Sequence, residues 1–135
     1  NAEVNTMFGH VLNYCGDPER GLKLMEKAFS IDTFVPPNWD LHVGLSNLLL
    51  RQYYEALAAF NRSIERAPMY YPAQLFLGCA YIELDRLDDA KKAIKTVLEI
   101  IPNHTVEAVA RILPFQDDEV RDRILNSLRK AGLPG

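Results

Sequence analysis

Three histidines and two cysteines are the side chains of this chain best suited to metal binding or nucleophilic chemistry. They are His10, His42, His104, Cys15 and Cys79. No two of them have the H-x-x-x-H or C-x-x-C spacing that brings ligands to one side of a metal ion. We therefore predict no metal site and interpret the histidines as structural or surface residues.

The same residues form no nucleophile–base pair that the sequence can identify. Two cysteines far apart in helical patterns are typical of buried free thiols. Three acidic residues cluster at Asp85, Asp88 and Asp89, and we interpret them as a helix start, where carboxylates are favoured. The glycines occur outside any phosphate-binding motif. The sequence therefore predicts no catalytic residue and no cofactor.

The composition restricts the class of protein. Its 135 residues are 48% hydrophobic and 24% charged, which predicts one globular domain rather than a disordered chain. A net charge of −3 disfavours nucleic-acid binding. We interpret Arg121, Arg123, Arg129 and Lys130, which alternate with acidic or polar residues, as a solvated helix face.

Targeting and membrane signals are missing from the sequence pattern. No window approaches the roughly 18 apolar residues of a membrane span, so we predict no membrane insertion. There is no signal-peptide pattern, and the two cysteines favour a reducing, cytoplasmic location. Because the chain begins with Asn1 and not with Met, we expect a fragment or a processed product.

Small and bulky residues recur along the chain with a spacing of 34 or 35 residues. Three glycines, three small residues and three bulky apolar residues are in register: Gly9, Gly44 and Gly78; Gly21, Ala56 and Ala90; Met25, Phe60 and Ile94. We interpret each unit as two antiparallel helices that approach closely at the small residues. The bulky residue is expected to fill the space between neighbouring units.

Prolines and turn residues delimit these units. Pro68 and Pro102 end the second and third units, and Pro36 and Pro37 follow the first. The predicted helices cover residues 2–14, 17–31, 38–51, 53–67, 71–85 and 87–101. Two more, near 104–112 and 117–131, are predicted to cap the open end of the array. The predicted fold is an all-α solenoid of three helix hairpins plus C-terminal capping helices.

The third unit carries the most specific motif. It contains Gln74, Leu77-Gly78 and Tyr81, then Ala90 and Ile94, then Pro102. This series resembles the tetratricopeptide repeat, W-x-x-L-G-x-x-Y followed by A-x-x-x-F and P. The resemblance implies a single tetratricopeptide domain over residues 1–135. Its repeats would cover about 2–35, 37–70 and 71–104, and its capping helices about 104–131.

The C-terminal tail resembles a narrower group. Its run from Leu113-Pro114-Phe115 to Ala131-Gly132-Leu133-Pro134 is similar to the C-terminal tetratricopeptide region of bacterial adenylate/guanylate cyclase-type signalling proteins. The resemblance implies a regulatory region of a bacterial signalling protein. No catalytic residue of a cyclase can be carried over, because the resemblance covers the tetratricopeptide region and not the catalytic domain.

In tetratricopeptide proteins the first helix of each repeat lines a concave groove that binds protein segments. The resemblance therefore implies a set of groove residues: Asn38, Leu41, His42, Leu45, Gln74, Leu75, Cys79 and Ile82. A shift of one position in helix phase would instead turn the leucines into the core. The sequence leaves both interpretations open.

These patterns predict a non-catalytic protein–protein interaction or scaffolding module. Its partner would be a protein, a peptide or another domain of the same parent protein. The alternative is a homo-oligomerisation module that pairs catalytic domains of the parent protein. Apolar groove residues and aromatic residues such as Trp39 motivate a possible homodimer.

Overall fold

The computed structural model describes residues 7, 9, 11–31 and 38–135, and all regular structure in these residues is helical. Its helices are α1 (Pro18–Ile31), α2 (Trp39–Leu49), α3 (Tyr53–Arg66), α4 (Tyr71–Glu83), α5 (Leu87–Ile100), α6 (Val106–Ile112) and α7 (Asp118–Lys130). Residues 7, 9 and 11–14 are also helical and precede α1. The predicted features at His10, Pro36 and Pro37 lie outside the described residues.

The helices stack in chain order. From α1 to α5, each helix packs against the next, and α2 also contacts α4. One main core cluster runs through this stack, from Leu41 in α2 to Val97 in α5, and on into α7. The predicted all-α solenoid is confirmed, and its helices begin and end within a few residues of the predicted limits.

The two helices of each hairpin approach closely at a glycine. A methyl group added at Gly44 would lie 2.5 Å from Cε1 of Phe60, and one at Gly78 would lie 3.0 Å from Cδ1 of Ile94. In the first hairpin, a methyl group at Gly9 would lie 2.7 Å from Cγ of Met25. Any larger residue at these glycines would push the facing side chain away, because protein interiors are close-packed.

These contacts correct one expectation about the bulky residues. Met25, Phe60 and Ile94 do not simply fill the space between units, because each packs on the glycine of its own hairpin. Phe60 also reaches the next unit, where its ring stacks on Phe76 with centroids 6.2 Å apart. The same side chain therefore joins the helices within one hairpin and joins that hairpin to the next.

The turns inside the hairpins share one backbone geometry. Gly16, Arg51 and Asp85 have φ angles of 88°, 61° and 57°, and they follow the register glycines at a constant interval. In the second turn, the N–H of Gln52 donates to the carbonyl of Asn47 over 2.8 Å. A residue with left-handed backbone, here Arg51, followed by a bond from Gln52 back to Asn47 is a Schellman motif. The motif satisfies carbonyls at the end of the first helix of the hairpin.

Buried polar contacts join the first two hairpins. The side-chain amide of Asn13 donates to the carbonyl of His42 over 3.1 Å. The side-chain oxygen of Asn13 accepts from the Ser46 hydroxyl over 2.7 Å. The indole N–H of Trp39 donates to the carbonyl of Met25 over 2.9 Å. Trp39 is half-buried and engaged within the chain, so it is not the exposed aromatic residue that the dimer hypothesis expected.

Both predicted capping helices are present, but α7 does not continue the stack. It packs against α6 and folds back across α4, the first helix of the third hairpin. Ahead of it, the backbone N–H of Gln116 donates to the carbonyl of Tyr14 over 3.0 Å. The tail therefore covers the side formed by the first helices and reaches back to the first hairpin.

A Gly44→Ala substitution is expected to destabilise the protein more than Gly78→Ala. The new methyl group meets the rigid Phe60 ring in the first case and the flexible end of Ile94 in the second. Overpacking costs about 1–3 kcal/mol, against a gain of about 1 kcal/mol in helix propensity for alanine. Urea unfolding of both variants measures the difference, and a Gly44→Ala variant as stable as the wild type would contradict it.

Candidate functional site

The structure buries most of the predicted groove residues. Four of them are buried in the main core cluster: Leu41, Leu45, Leu75 and Cys79. His42 is also buried, 3.1 Å from the side-chain amide of the exposed Asn38. Gln74 and Ile82 are half-buried. The core interpretation of the leucines therefore describes this structure, and binding by these residues stays a prediction.

A pocket lies where α2, α4 and α7 meet. Its volume is about 270 Å³, and its walls carry apolar side chains from all three helices: Leu48, Leu49, Cys79, Val120 and Ile124. Charged and hydroxyl side chains complete the lining: Arg51, Tyr53, Glu83, Asp117, Glu119, Arg123 and Ser127. We call the side of α2 and α4 that faces α7, with Leu48, Leu49, Cys79 and Glu83, the inner face.

An ion pair joins α7 to the inner face beside this pocket. The guanidinium of Arg123 donates to both oxygens of Glu83, over 2.8 Å and 2.7 Å. The hydroxyl of Tyr53 donates to Glu83 over 3.3 Å and lies 3.4 Å from Arg123. Such a two-pronged guanidinium–carboxylate contact fixes geometry as well as charge. Arg123 is therefore not simply part of a solvated helix face, as the sequence suggested.

The surroundings of these groups set their protonation. Hydrogen bonds from Arg123 hold the pKa of Glu83 below its usual range, so this carboxylate is charged near neutral pH. Burial is the main cause that raises the pKa of the Tyr53 hydroxyl, which therefore keeps its proton. The inner face thus offers a fixed negative charge with a neutral hydroxyl beside it.

The thiol of Cys79 has the character of a core group. It is fully buried, and its S–H points to the carbonyl of Ile124 in α7, 3.9 Å away. Burial raises its pKa well above the usual thiol value, so the nucleophilic thiolate is not populated near neutral pH. Across residues 7, 9, 11–31 and 38–135, no group of three His, Cys, Asp or Glu side chains could hold a metal ion.

A second, smaller pocket marks where the tail meets the first hairpin. Its volume is about 180 Å³, and its walls include Asn13, Tyr14, Leu49 and Phe115. The rings of Tyr14 and Phe115 are 4.6 Å apart, and burial is the main cause that raises the pKa of Tyr14 to about 12. The two pockets share Leu49, Asp117 and Val120, so they lie side by side along the inner face.

Comparisons with known proteins agree with this architecture. Residues 48–113 match the family model described as "Tetratricopeptide repeat". The whole chain is similar to two crystal structures of MamA, each with 23% identity and a TM-score of 0.71 over 97% of this chain. These alignments cover 76% and 71% of the MamA chains, and a third structure, MamA MSR-1 C2, gives a TM-score of 0.66 at 22% identity.

These likenesses support the solenoid fold. Among the helices that the structure describes, none is long and apolar enough to cross a lipid bilayer. The matched residues 48–113 contain the third glycine of the repeat register, Gly78, whereas the second, Gly44, lies just outside. The matched segment thus ends at Leu113, before α7 begins.

Replacing Glu83 with glutamine is expected to destabilise the protein at pH 7, because it removes the ion pair with Arg123. The loss should be only about 0.5–1 kcal/mol, because Arg123 is partly solvated and water screens the pair. The native pKa of Glu83 is lowered, so its contribution is present above the usual glutamate pKa of about 4.3 and lost as the pH falls below it. Urea unfolding at pH 7 and at pH 3 measures both effects.

A matched control is Glu107→Gln, which removes an exposed i,i+4 pair with Arg111. This change is expected to cost about 0.3 kcal/mol. Equal losses for the two variants, or a Glu83→Gln loss that persists unchanged at pH 3, would contradict a specific role of the Glu83–Arg123 pair.

Proposed function

We propose that this chain is a non-catalytic protein–protein interaction module of the tetratricopeptide type. The proposed domain covers residues 1–135, with repeats at about 2–35, 37–70 and 71–104 and capping helices at about 104–131. The match of residues 48–113 to the tetratricopeptide model and the likeness to MamA structures support this reading. Repeat scaffolds of stacked hairpins bind partners through extended surfaces.

One observation carries the proposal: the pocket of about 270 Å³ between α2, α4 and α7. Its apolar walls suit a leucine-sized or aromatic side chain, and its charged mouth suits a polar backbone or a charged neighbour of that side chain. Interfaces of proteins concentrate affinity in a few such anchor pockets surrounded by polar rims. A protein or peptide segment is therefore the class of ligand that the pocket favours.

A catalytic role is not proposed for this chain. The buried Cys79 thiol has no thiolate to offer, and Glu83 is neutralised by an arginine rather than paired with a second acid. General acid–base chemistry needs a group whose pKa lies near the working pH. No cofactor and no nucleic-acid partner is proposed.

The parent protein that we propose is a bacterial signalling protein such as a nucleotide cyclase, with this chain as its C-terminal regulatory part. The resemblance of the tail, from Leu113 to Pro134, supports this assignment. The partner would then be a cytoplasmic protein, or another domain of the same parent. Sequencing the gene upstream of Asn1 tests it, because a cyclase-type catalytic domain is expected there.

Peptides selected from a displayed random library on the full chain are expected to bind at the pocket. Arg51→Glu and Leu49→Glu change its mouth and its wall, and each should weaken binding at least tenfold, about 1.4 kcal/mol. Lys92→Glu, an exposed charge change on α5, is the matched control and should leave the dissociation constant unchanged. Binders that ignore both pocket variants would contradict the proposed site.

Homo-oligomerisation is the second candidate function, and exposed apolar side chains near the N-terminus favour it. Met7 and Val11 are 63% and 48% exposed and lie four residues apart, a spacing that puts two helical residues on one face. Apolar surface of this kind marks many protein interfaces.

Light scattering is expected to give a dimer mass for the wild-type chain at high concentration if these residues form the interface. The double variant Met7→Glu/Val11→Glu should then be monomeric, while Lys23→Glu, which reverses an exposed charge on α1, should remain a dimer. A monomeric wild-type chain at millimolar concentration would rule this function out.

A further inference from the structure

We propose that α7 is an internal occupant of the inner face and that the external partner is an amphipathic helix with the chemistry of α7. The partner would displace α7 rather than bind beside it. This inference rests on the proposed function, because it names the partner class of the same surface.

The apolar side of α7 lies against the hairpins. Ile124, Leu125 and Leu128 are buried and belong to the main core cluster together with Leu75 and Cys79. The close approach of the Cys79 sulfur to the carbonyl of Ile124 shows that the α7 backbone itself comes near α4 at this point. A helix with apolar residues at i, i+4 and i+8, as at Val120, Ile124 and Leu128, is therefore what this surface accepts.

The ion pair fixes the register of the helix on the inner face. Glu83 receives two hydrogen bonds from Arg123 and one from Tyr53, so its carboxylate is directed at a cation on the bound helix. Arg123 comes directly before the buried Ile124. A partner helix should accordingly carry arginine immediately before an apolar residue that contacts Cys79.

Displacement of α7 should begin in its N-terminal half, because this half is less buried than the C-terminal half. The residues from Asp118 to Arg123 are exposed or only half-buried, and the 270 Å³ pocket lies between this half and α2. A non-helical segment that contains Pro114 joins α7 to α6. Displacement of this half must also release Gln116 and Phe115 from Tyr14, while the C-terminal half of α7 still holds the core.

Tethering explains why an external helix must compete. A segment joined by a short linker has an effective concentration in the millimolar range at its own site. A free peptide of the same sequence therefore binds the wild-type chain weakly, and anything that weakens the tethered copy alone makes the free peptide bind more tightly. This asymmetry is the basis of the test.

The experiment uses the full chain and a fluorescent synthetic peptide of residues 114–134, with binding measured by anisotropy. The Arg123→Glu chain places two negative charges together at Glu83, and it should bind the native peptide at least tenfold more tightly than the wild-type chain does. Arg129→Glu is the matched control, because Arg129 is exposed and its guanidinium donates to Asn126 of the same helix over 2.8 Å. That chain should bind like the wild type.

A charge exchange identifies the site. The Glu83→Arg chain should prefer a peptide carrying Arg123→Glu over the native peptide by at least tenfold, and the Arg123→Glu chain should show the opposite preference. Equal binding of both peptides by both chains would overturn the proposal, since the peptide would then bind elsewhere.

If a variant loses its helical circular dichroism signal, hydrogen exchange of the wild-type chain tests the separate opening of α7 instead. Amides of α7 from Asp122 onward, which are hydrogen-bonded within the helix, should exchange at least tenfold faster than those in the middle of α4, because α7 opens separately. Exchange of α7 and α4 at one common rate would overturn the proposal. If selected library peptides bind the pocket but the peptide of residues 114–134 does not replace α7 in any chain, only this inference fails and the proposed function stands.

Discussion

The stack depends on a close contact between the two helices of each hairpin, where a glycine on the first helix leaves room for a bulky side chain of the second. At Gly44 the ring of Phe60 occupies the volume that a β-carbon would need, and at Gly78 the end of Ile94 does the same. Because Phe60 also stacks on Phe76, the contact that closes one hairpin also sets the distance to the next. The 34- to 35-residue register is therefore a packing constraint, and the turns follow from it: each hairpin reverses through a left-handed residue at the same interval after its glycine.

Nearest-neighbour packing describes α1 to α5 but not the C-terminal tail. In an ideal solenoid each repeat contacts only its neighbours, and stability is a sum of local terms. Here Phe115 packs on Tyr14, Arg123 pairs with Glu83, and the N–H of Val106 donates to the carbonyl of Pro134. One segment thus contacts the first hairpin, the third hairpin and the start of α6, so it couples units that are not neighbours in the stack.

The periodic part of the fold could be predicted from the sequence because its determinants are local. Glycine, alanine and a bulky residue at fixed intervals define the hairpins, and prolines define their ends. The path of α7 could not be predicted, because its apolar stripe suits either the end of the stack or the inner face. Arg123 gives no sign in the sequence that it pairs with Glu83, forty residues earlier in the chain. Turn geometry was equally hidden at Arg51 and Asp85, where the left-handed backbone does not use glycine.

The placement of α7 also explains why the predicted groove and the observed core coincide. First-helix residues such as Leu45 and Leu75 belong to the same core cluster as the buried residues of α7, and the Cys79 sulfur lies 3.9 Å from the Ile124 carbonyl of α7. The sequence rule that assigns first helices to a binding surface describes a stack with an open inner side. When the chain supplies a helix of its own to that side, apolar residues that would face a partner become core residues, and the charged margin around Glu83 and the pocket beside α7 remain open. Burial of a predicted contact residue is therefore compatible with a binding surface where the covering element can separate. The proposed displacement of α7 requires this, and its exposed or half-buried first turns are where it would begin.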